Sequence, residues 1–407
     1  MRTQLALPLL LCTIAACKQT EDATEPDIRW YRGNLHTHTL WSDGDDFPDM
    51  VVDWYREAGY DFLALSDHNV LSAGERWLVV DETLRPAFTD YARRFGGSEI
   101  DTVWIAGATR VRLKTFEELR SSFEDPGAFI LIQSEEITDK FESRPLHVNA
   151  TNVVDFIPPQ GGSSVVDVLQ RNIDAVLAQR ERTNLPIFPH INHPNFGWAI
   201  SVDDLLAVER ERFFEIYNGH PLVHNDGDEN HPSVEEMWDI ILTARVATGG
   251  EPMYGLAVDD AHHYQGMDLS LANPGRGWIM VKADTLTPGS VIEAMEAGEF
   301  YASTGVTLRD VRRTADRLEV SISPEQGIKY TTDFIGSKAG SNGAESSVGV
   351  VLASVEGTEA AYQLKGDEMY VRARVVSSKR KSNPNRPDET ERAWTQPVIP
   401  SLAPRSP

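Results

Sequence analysis

Four short apolar runs in this chain lead into histidines or carboxylates, and that repetition restricts the fold more than any other feature. Asp67-His68 follows Phe62-Leu63-Ala64-Leu65, and Glu135-Glu136 follows Phe129-Ile130-Leu131-Ile132. His190 and His193 follow Ile187-Phe188, and Asp260 and His262 follow Leu256-Ala257-Val258. Runs this short, alternating with amphipathic stretches, predict buried strands connected by helices. In a β/α barrel the C-terminal ends of the strands meet at one face. Residues far apart in sequence then converge there, whereas on unrelated loops they would not.

His36-Thr37-His38 adds a pair. Side chains alternate along an extended segment, so imidazoles two apart point the same way and can grip one ion together. Asp43 follows five residues later, and His147 stands between the second and third runs. Imidazole mixed with carboxylate suits zinc, manganese or iron, and their ratio does not choose among them. So many donors exceed what one ion can use.

The helices between the runs carry their own punctuation. Pro48 to Ala58 is predicted helical, with Met50, Val51, Trp54 and Ala58 on one stripe and Gly59 after it. Ser164 to Gln179 repeats the pattern. Ser233 and Glu236 form a capping box for Val234 to Ala247, and Pro288 to Ala297 is the last helix. After about Val306 the texture changes. Leu318–Ile322 and Tyr370–Val375 alternate with period two and predict antiparallel strands. Gly336 to Gly349 reads as a loop and Lys379 to Arg392 as a polar turn.

The N-terminus has one early arginine, the apolar run Leu5 to Ala16, then Cys17. That is the pattern of a signal peptide, too short to span a bilayer. Ile14-Ala15-Ala16-Cys17 resembles the lipobox of bacterial lipoproteins, which implies lipidation of Cys17 and a place in the bacterial cell envelope; an ordinary secretory signal is the alternative. The expected organisation is a signal peptide at 1–16, a lipidated Cys and polar tether at 17–29, a barrel at 30–305, a small β-sandwich at 306–400 and a tail at 401–407. With 38 Lys plus Arg against 62 Asp plus Glu, the formal charge is −24. A field of that sign repels phosphate backbones, so no nucleic-acid partner is expected. A small anionic substrate is still accommodated where bound cations dominate locally.

In order and in motif shape, His36-x-His38, Asp43, Asp67-His68, Glu136-Ile137, His147, His193-Pro194 and Asp260-x-His262 resemble the PHP superfamily of metallohydrolases, the polymerase and histidinol phosphatase type. The resemblance runs from about Asn34 to Thr304. Asn192-His193-Pro194-Asn195, Glu215-Ile216-Tyr217-Asn218-Gly219 and Gly275-Arg276-Gly277-Trp278 look like its secreted branch, which includes aryl-carbamate hydrolases. The resemblance implies a distorted (β/α)7 TIM-like barrel holding two or three divalent ions. The ligands it implies are His36, His38, Asp43, His68, Glu136, His147, His193, Asp260 and His262, with Glu135 the alternative to Glu136. His190 is expected beside the ligands and Asp67 behind them, orienting an imidazole. Arg276 is expected either to hold an anionic group through its fork or to pair with a carboxylate.

The function this implies is hydrolysis by metal-activated water, with phosphoesters first among substrates. Carbamates, esters or amides are the alternative, and a non-catalytic, metal-containing binding lipoprotein a further one. The chain has no Gly-rich phosphate loop and no nucleophile elbow, which favours water over a side chain as nucleophile. Trp41, Trp198 and Trp278 are candidates for a pocket wall or for core packing. His220, His224, His231 and His263 are candidates for the rim.

Overall fold

The computed structural model describes residues 29–96, 100–338 and 348–400. The expected signal peptide, Cys17, nearly all of the tether, the tail, and most of the loop read at Gly336–Gly349 lie outside the described residues. No described helix is long and apolar enough to cross a membrane.

The first half alternates strand and helix. Strands β1 (Arg29–Asn34) and β2 (Phe62–Leu65) flank helix α1 (Pro48–Glu57). An insertion follows, with β3 (Trp77–Val79), α2 (Arg85–Phe95), β4 (Thr102–Ile105), β5 (Ala108–Arg112) and α3 (Phe116–Phe123). Next come β6 (Ile130–Phe141), β7 (Arg144–Thr151), α4 (Val165–Thr183), β8 (Phe188–Ile191), α5 (Val202–Ala207), β9 (Phe213–Asn218), α6 (Val234–Ala247) and β10 (Tyr254–Val258). Then β11 (Trp278–Ala283), α7 (Pro288–Glu296) and β12 (Phe300–Ser303) lead into β13 (Leu308–Arg313), β14 (Arg317–Ile322), β15 (Tyr330–Lys338), β16 (Val350–Glu356), β17 (Glu359–Gln363), β18 (Glu368–Arg380) and β19 (Thr390–Thr395).

Local chemistry sets the helix ends. Ser233 Oγ accepts from the Glu236 N–H while the Glu236 carboxylate accepts from the Ser233 N–H, the reciprocal box that starts α6. Asn184 ends α4 in the left-handed region, at φ 54°. β2 is buried along its whole length because it is parallel to both neighbours, β1 and β6.

The sheet has thirteen strands, in the order β10-β9-β8-β7-β6-β2-β1-β11-β12-β19-β18-β15-β16. β7 runs antiparallel to both β6 and β8, a reversal that regular β/α alternation does not contain. No continuous ladder closes β10 onto β1. A single parallel bridge, Thr37 to Ala261, joins the segments that follow them, with the His38 N–H donating to Ala261 O at 3.0 Å. Phe62 and Ala64, Ile130 and Ile132, Phe188, Phe213, Leu256 and Val258 share one core with Val291, Ile292 and Met295 of α7. The opposite faces of the same strands pack on helices: Leu63, Leu65 and Leu131 join α1 and α3 in a second core.

Beyond residue 306 only part of the chain forms a separate sheet. β12 pairs with β19, so β15, β16, β18 and β19 continue the main sheet. The strands β13, β14 and β17 form a second layer that shares a core with it. β18 is much longer than the predicted strand and takes in Lys379 and Arg380, read from sequence as part of a turn.

Glu211 carries a pH prediction. One of its oxygens accepts from the Arg212 and Phe213 N–H groups, and the other is buried without a partner. Burial pushes its carboxyl from 4.5 up to about 8, against the pull of those N–H groups. Between these values the native state keeps a proton that the unfolded chain has lost, so this group's contribution to stability falls as pH rises. The Tm of Glu211→Gln relative to wild type is expected to shift in the variant's favour between about pH 5 and about pH 9. A difference that does not vary with pH overturns the assignment.

Candidate metal centre

Strand periodicity aims the donors. Glu136 has the parity of Ile130 and Ile132, and so points to the side of the sheet that holds the shared core. Glu135 has the parity of Ile137, which packs with Val176 of α4, and its Oε1 accepts from the Ile157 N–H at 2.7 Å. His190 follows Phe188 by two, and Glu215 follows Phe213 by two. Two sequence expectations shift here. Glu136 and His190 lie within β6 and β8, not after them, because both strands run past the apolar segment that predicts them.

The nine expected ligands converge. The ligand atoms of His38, Asp43, His68 and His262 lie within 4.8 Å of one another. So do those of His36, His38 and Glu136, and those of His68, Glu136 and His147. Asp260 Oδ1 is 3.3 Å from His36 Nε2 and 3.1 Å from His38 Nε2. His193 Nε2 is 3.6 Å from Glu136 Oε1. Glu136 is the hub, since His36, His38, His68 and His147 also reach it, at 3.2, 3.3, 2.9 and 2.8 Å. His193 and Asp260 carry positive φ, 20° and 51°, a conformation that non-glycine residues hold where the surroundings over-determine it.

Burial and charge act against each other at this site. Burial alone would raise Glu136, but the imidazoles of His68, His36 and His147 outweigh it and hold the carboxylate well below its ordinary range. Burial would likewise lower His36, yet Asp260, Glu136 and Glu215 raise it. His38 goes the other way. It stacks between His68 and His262, with centroids 4.4 and 4.1 Å away, and burial plus those two neighbours take it down to about 3. Asp43, 57 % exposed, is the most open to solvent of the expected ligands.

The donor set fits cations. His36 Nε2 and Glu136 Oε2 are buried and face each other, yet neither has a hydrogen-bond partner. A shared ion would satisfy both, and the three groups have His38, His68 and Glu136 in common.

Two of the three supporting residues, Asp67 and Arg276, behave differently from expectation. His190 is buried beside Glu215, 3.4 Å from Oε1, with no hydrogen bond at either ring nitrogen. Asp67 does not touch an imidazole. It accepts from the Thr39 N–H and Oγ1 and from Ser42 Oγ, at 2.8, 2.9 and 2.6 Å, and so braces the loop that carries Asp43. Arg276 has no free fork and no carboxylate partner. Its guanidinium donates to the carbonyls of Gly219, Leu271 and Asp268, at 2.9, 2.5 and 2.9 Å, and to Asn273 and Asn383. Trp41 packs in a core. Trp278 borders another. Trp198 lies stacked between His224 and His231, with centroids 4.5 and 4.0 Å away.

Glu215 was not among the expected site residues. It accepts from the His193 N–H and from Asn218 Nδ2, both at 2.8 Å, and lies 2.7 Å from His36 Nδ1. The available signal was a carboxylate inside the apolar strand Phe213-Phe214-Glu215-Ile216-Tyr217, where a lone charge is costly unless partnered. Glu215→Gln keeps the shape and weakens the hold on His36. Metal affinity, measured by competition with a chelator, is expected to fall roughly 10–100-fold. Unchanged affinity would show that Glu215 only fills space.

The protein is thus one whose buried His, Asp and Glu groups can hold metal ions at a shared centre. No protein-family model and no curated protein matches the chain. Among solved structures, a two-domain protein of Bacteroides vulgatus containing a predicted PHP-like metal-dependent phosphoesterase aligns at 14 % identity and TM-score 0.40, covering 91 % of this chain and 95 % of that one. A candidate metal-dependent phosphoesterase of Bifidobacterium adolescentis aligns at 13 % identity and TM-score 0.28, covering 56 % and 87 %. An amidohydrolase of Chromobacterium violaceum, with bound sulfate and no metal, aligns at 13 % identity and TM-score 0.27, covering 57 % and 88 %.

Proposed function

We propose that this protein is a metal-dependent hydrolase of PHP type acting on phosphoesters at a di- or trinuclear centre. One observation carries the reading: the donor groups are adjacent and share members, with Glu136 reached by five imidazoles. A mononuclear site needs no such sharing. The ligands are His36, His38, Asp43, His68, Glu136, His147, His193, Asp260 and His262. In this reading β1, β2, β6, β7, β8, β9 and β10 form a distorted seven-stranded barrel whose seam is the Thr37–Ala261 bridge, and the two layers after residue 306 form a sandwich.

Bound divalent ions would lower the pKa of a water and neutralise charge developing on the substrate oxygens. The chain's residues prepare for this. Glu136 and Asp260 stay anionic at neutral pH, which suits them to cations. His38, held neutral, keeps a lone pair to offer. Glu215 fixes the ring orientation of His36 through Nδ1 and leaves Nε2 aimed at the centre.

The test is elemental analysis of soluble protein beginning at Lys18, followed by assays on p-nitrophenyl phosphate, bis-p-nitrophenyl phosphate and 1-naphthyl N-methylcarbamate. Several ions per chain with phosphoester turnover is the expected result. Turnover of the carbamate alone moves the chemistry to the acyl class. Protein that takes up ions and turns over nothing is a binding protein. We also propose export and lipid anchoring at Cys17. Incorporation of labelled palmitate in cells, lost in Cys17→Ser, is expected, and a label that persists in the variant rules the anchor out.

A further inference from the structure

His220 stands two residues beyond the end of β9, half-buried beside the metal centre, and is not one of the nine proposed ligands. Its ring meets that of His262 edge to face, with centroids 5.5 Å apart, and that of Phe196 at 5.9 Å. Phe196 in turn packs on His193 and His147, at 5.1 and 6.4 Å. The imidazole thus joins His262 to the ring that covers His193 and His147. The ionisable groups that act most strongly on it are Asp260, His262, His193 and His36, all of them proposed ligands.

The backbone fixes which of its nitrogens carries the proton. The Leu222 N–H donates to His220 Nδ1 at 3.2 Å. A backbone N–H can only donate, so Nδ1 presents a lone pair and the proton of the neutral ring is on Nε2. Nε2 has no hydrogen-bond partner among the described residues, and it is not sealed from solvent. In this tautomer it cannot ligate an ion, which needs a bare nitrogen. The ring is also held in place. The His220 N–H donates to Asn218 Oδ1 at 2.8 Å, and Asn218 Nδ2 donates to Glu215 and Asp260 at 2.8 and 3.0 Å. Next to it, the Gly219 carbonyl accepts from Arg276 Nη1 at 2.9 Å and the Gly219 N–H donates to Val258 O at 3.0 Å. The result is an open N–H donor, fixed in direction, on the rim of a cation-binding centre. Such a donor stabilises charge developing on a substrate oxygen, and a neutral one does so without repelling the ions.

We propose that His220 touches the substrate, its Nε2–H donating to an oxygen of the phosphoryl group held at the metal centre. The inference rests on the metal-dependent hydrolase reading above.

The test compares wild type, His220→Ala and His220→Gln as full chains loaded with zinc. Ion content, turnover of bis-p-nitrophenyl phosphate and affinity for inorganic phosphate by calorimetry are measured on each. All three are expected to hold the same number of ions. His220→Ala is expected to lose about 10²-fold in kcat, the scale of one donor to a developing oxyanion. It is also expected to bind phosphate about tenfold more weakly, the loss of one charge-assisted bond. His220→Gln, whose amide can donate in place of the ring, is expected to recover part of both. A loss of ions in His220→Ala makes the residue a ligand and overturns the proposal. Turnover and phosphate affinity equal to wild type leave His220 a mere wall and overturn it as well. The tautomer is read without metal or activity, from long-range ¹H–¹⁵N correlations of the histidine rings in the metal-free chain, with His220 identified by its absence in His220→Gln. The Nε2–H form is expected, and the Nδ1–H form overturns the proposal. Wild type that takes up no ion, or turns over no phosphoester, fails the hydrolase reading and this inference with it; active wild type matched by His220→Ala fails this inference alone.

Discussion

Glu136→Gln is expected to lower both metal loading and turnover, while Glu135→Gln, one residue away, is expected to leave both in place. That contrast is expected because the two carboxylates lie on opposite faces of β6. Glu136 is buried among five imidazoles and also accepts from Asn192 Nδ2 at 2.8 Å. An amide at that position keeps the size but removes the charge that balances the histidines, and it offers donors where the imidazoles need an acceptor. A loss of at least ~10³-fold in kcat/KM is expected, or about 4 kcal/mol at 1.36 kcal/mol per tenfold. Elemental analysis should show fewer ions per chain in the same sample, which separates a failed centre from a slowed one. Glu135 has one bond, from the Ile157 N–H, and burial pushes its carboxyl up to about 8. It is therefore protonated in neutral buffer, and Gln supplies the same acceptor oxygen. Its variant is expected within ~3-fold of wild type in kcat/KM, less than 1 kcal/mol. The reverse outcome, with Glu135→Gln the damaging change, would falsify the assignment of Glu136 as hub.

Arg276→Met unfolds more readily than wild type by about 3–5 kcal/mol, the range for stripping a buried charged donor from several acceptors. The carbonyls of Gly219, Leu271 and Asp268 lose their donor together. The segment they fix is held a second time from below. Asp259 accepts from the N–H groups of Gly275, Arg276 and Gly277, at 2.8, 2.6 and 2.8 Å, and from the Tyr55 hydroxyl at 2.7 Å. Arg276→Lys is expected to recover only part of the loss, because an ammonium cannot reproduce the planar fork. Urea denaturation midpoints read the effect. The molecules that remain folded and metal-loaded should keep kcat and KM close to wild type. A variant of normal stability whose KM rises for anionic substrates alone would return Arg276 to the substrate.

Much of the local structure was legible in the sequence, because its signals are local. The α6 box needs only Ser233 and Glu236, three residues apart. The β2 run Phe62–Leu65 and the α1 stripe came through at nearly the predicted bounds. Element ends were less legible where a neighbour prolongs a strand. β6 continues through Glu135 and Glu136 because β7 pairs with it from Ser134 to Phe141, and that ladder is long-range information. The reversal of β7 had the same cause.

For the site, the sequence by itself determined an inventory. It showed which donors exist, that they recur after apolar runs, and that alternation on a strand aims His36 with His38. Residue type and short spacing suffice for that. Only the tertiary structure decided which donors meet. It placed Glu136 among the imidazoles and Glu135 behind the strand, turned Asp67 toward a loop instead of a ring, and enclosed Arg276 in carbonyls. It also added Glu215, which spacing alone did not mark. The physical reason is that hydrogen-bond satisfaction in a buried centre depends on groups more than a hundred residues apart, as with His36 and Glu215, and no local pattern specifies which acceptor a donor will reach.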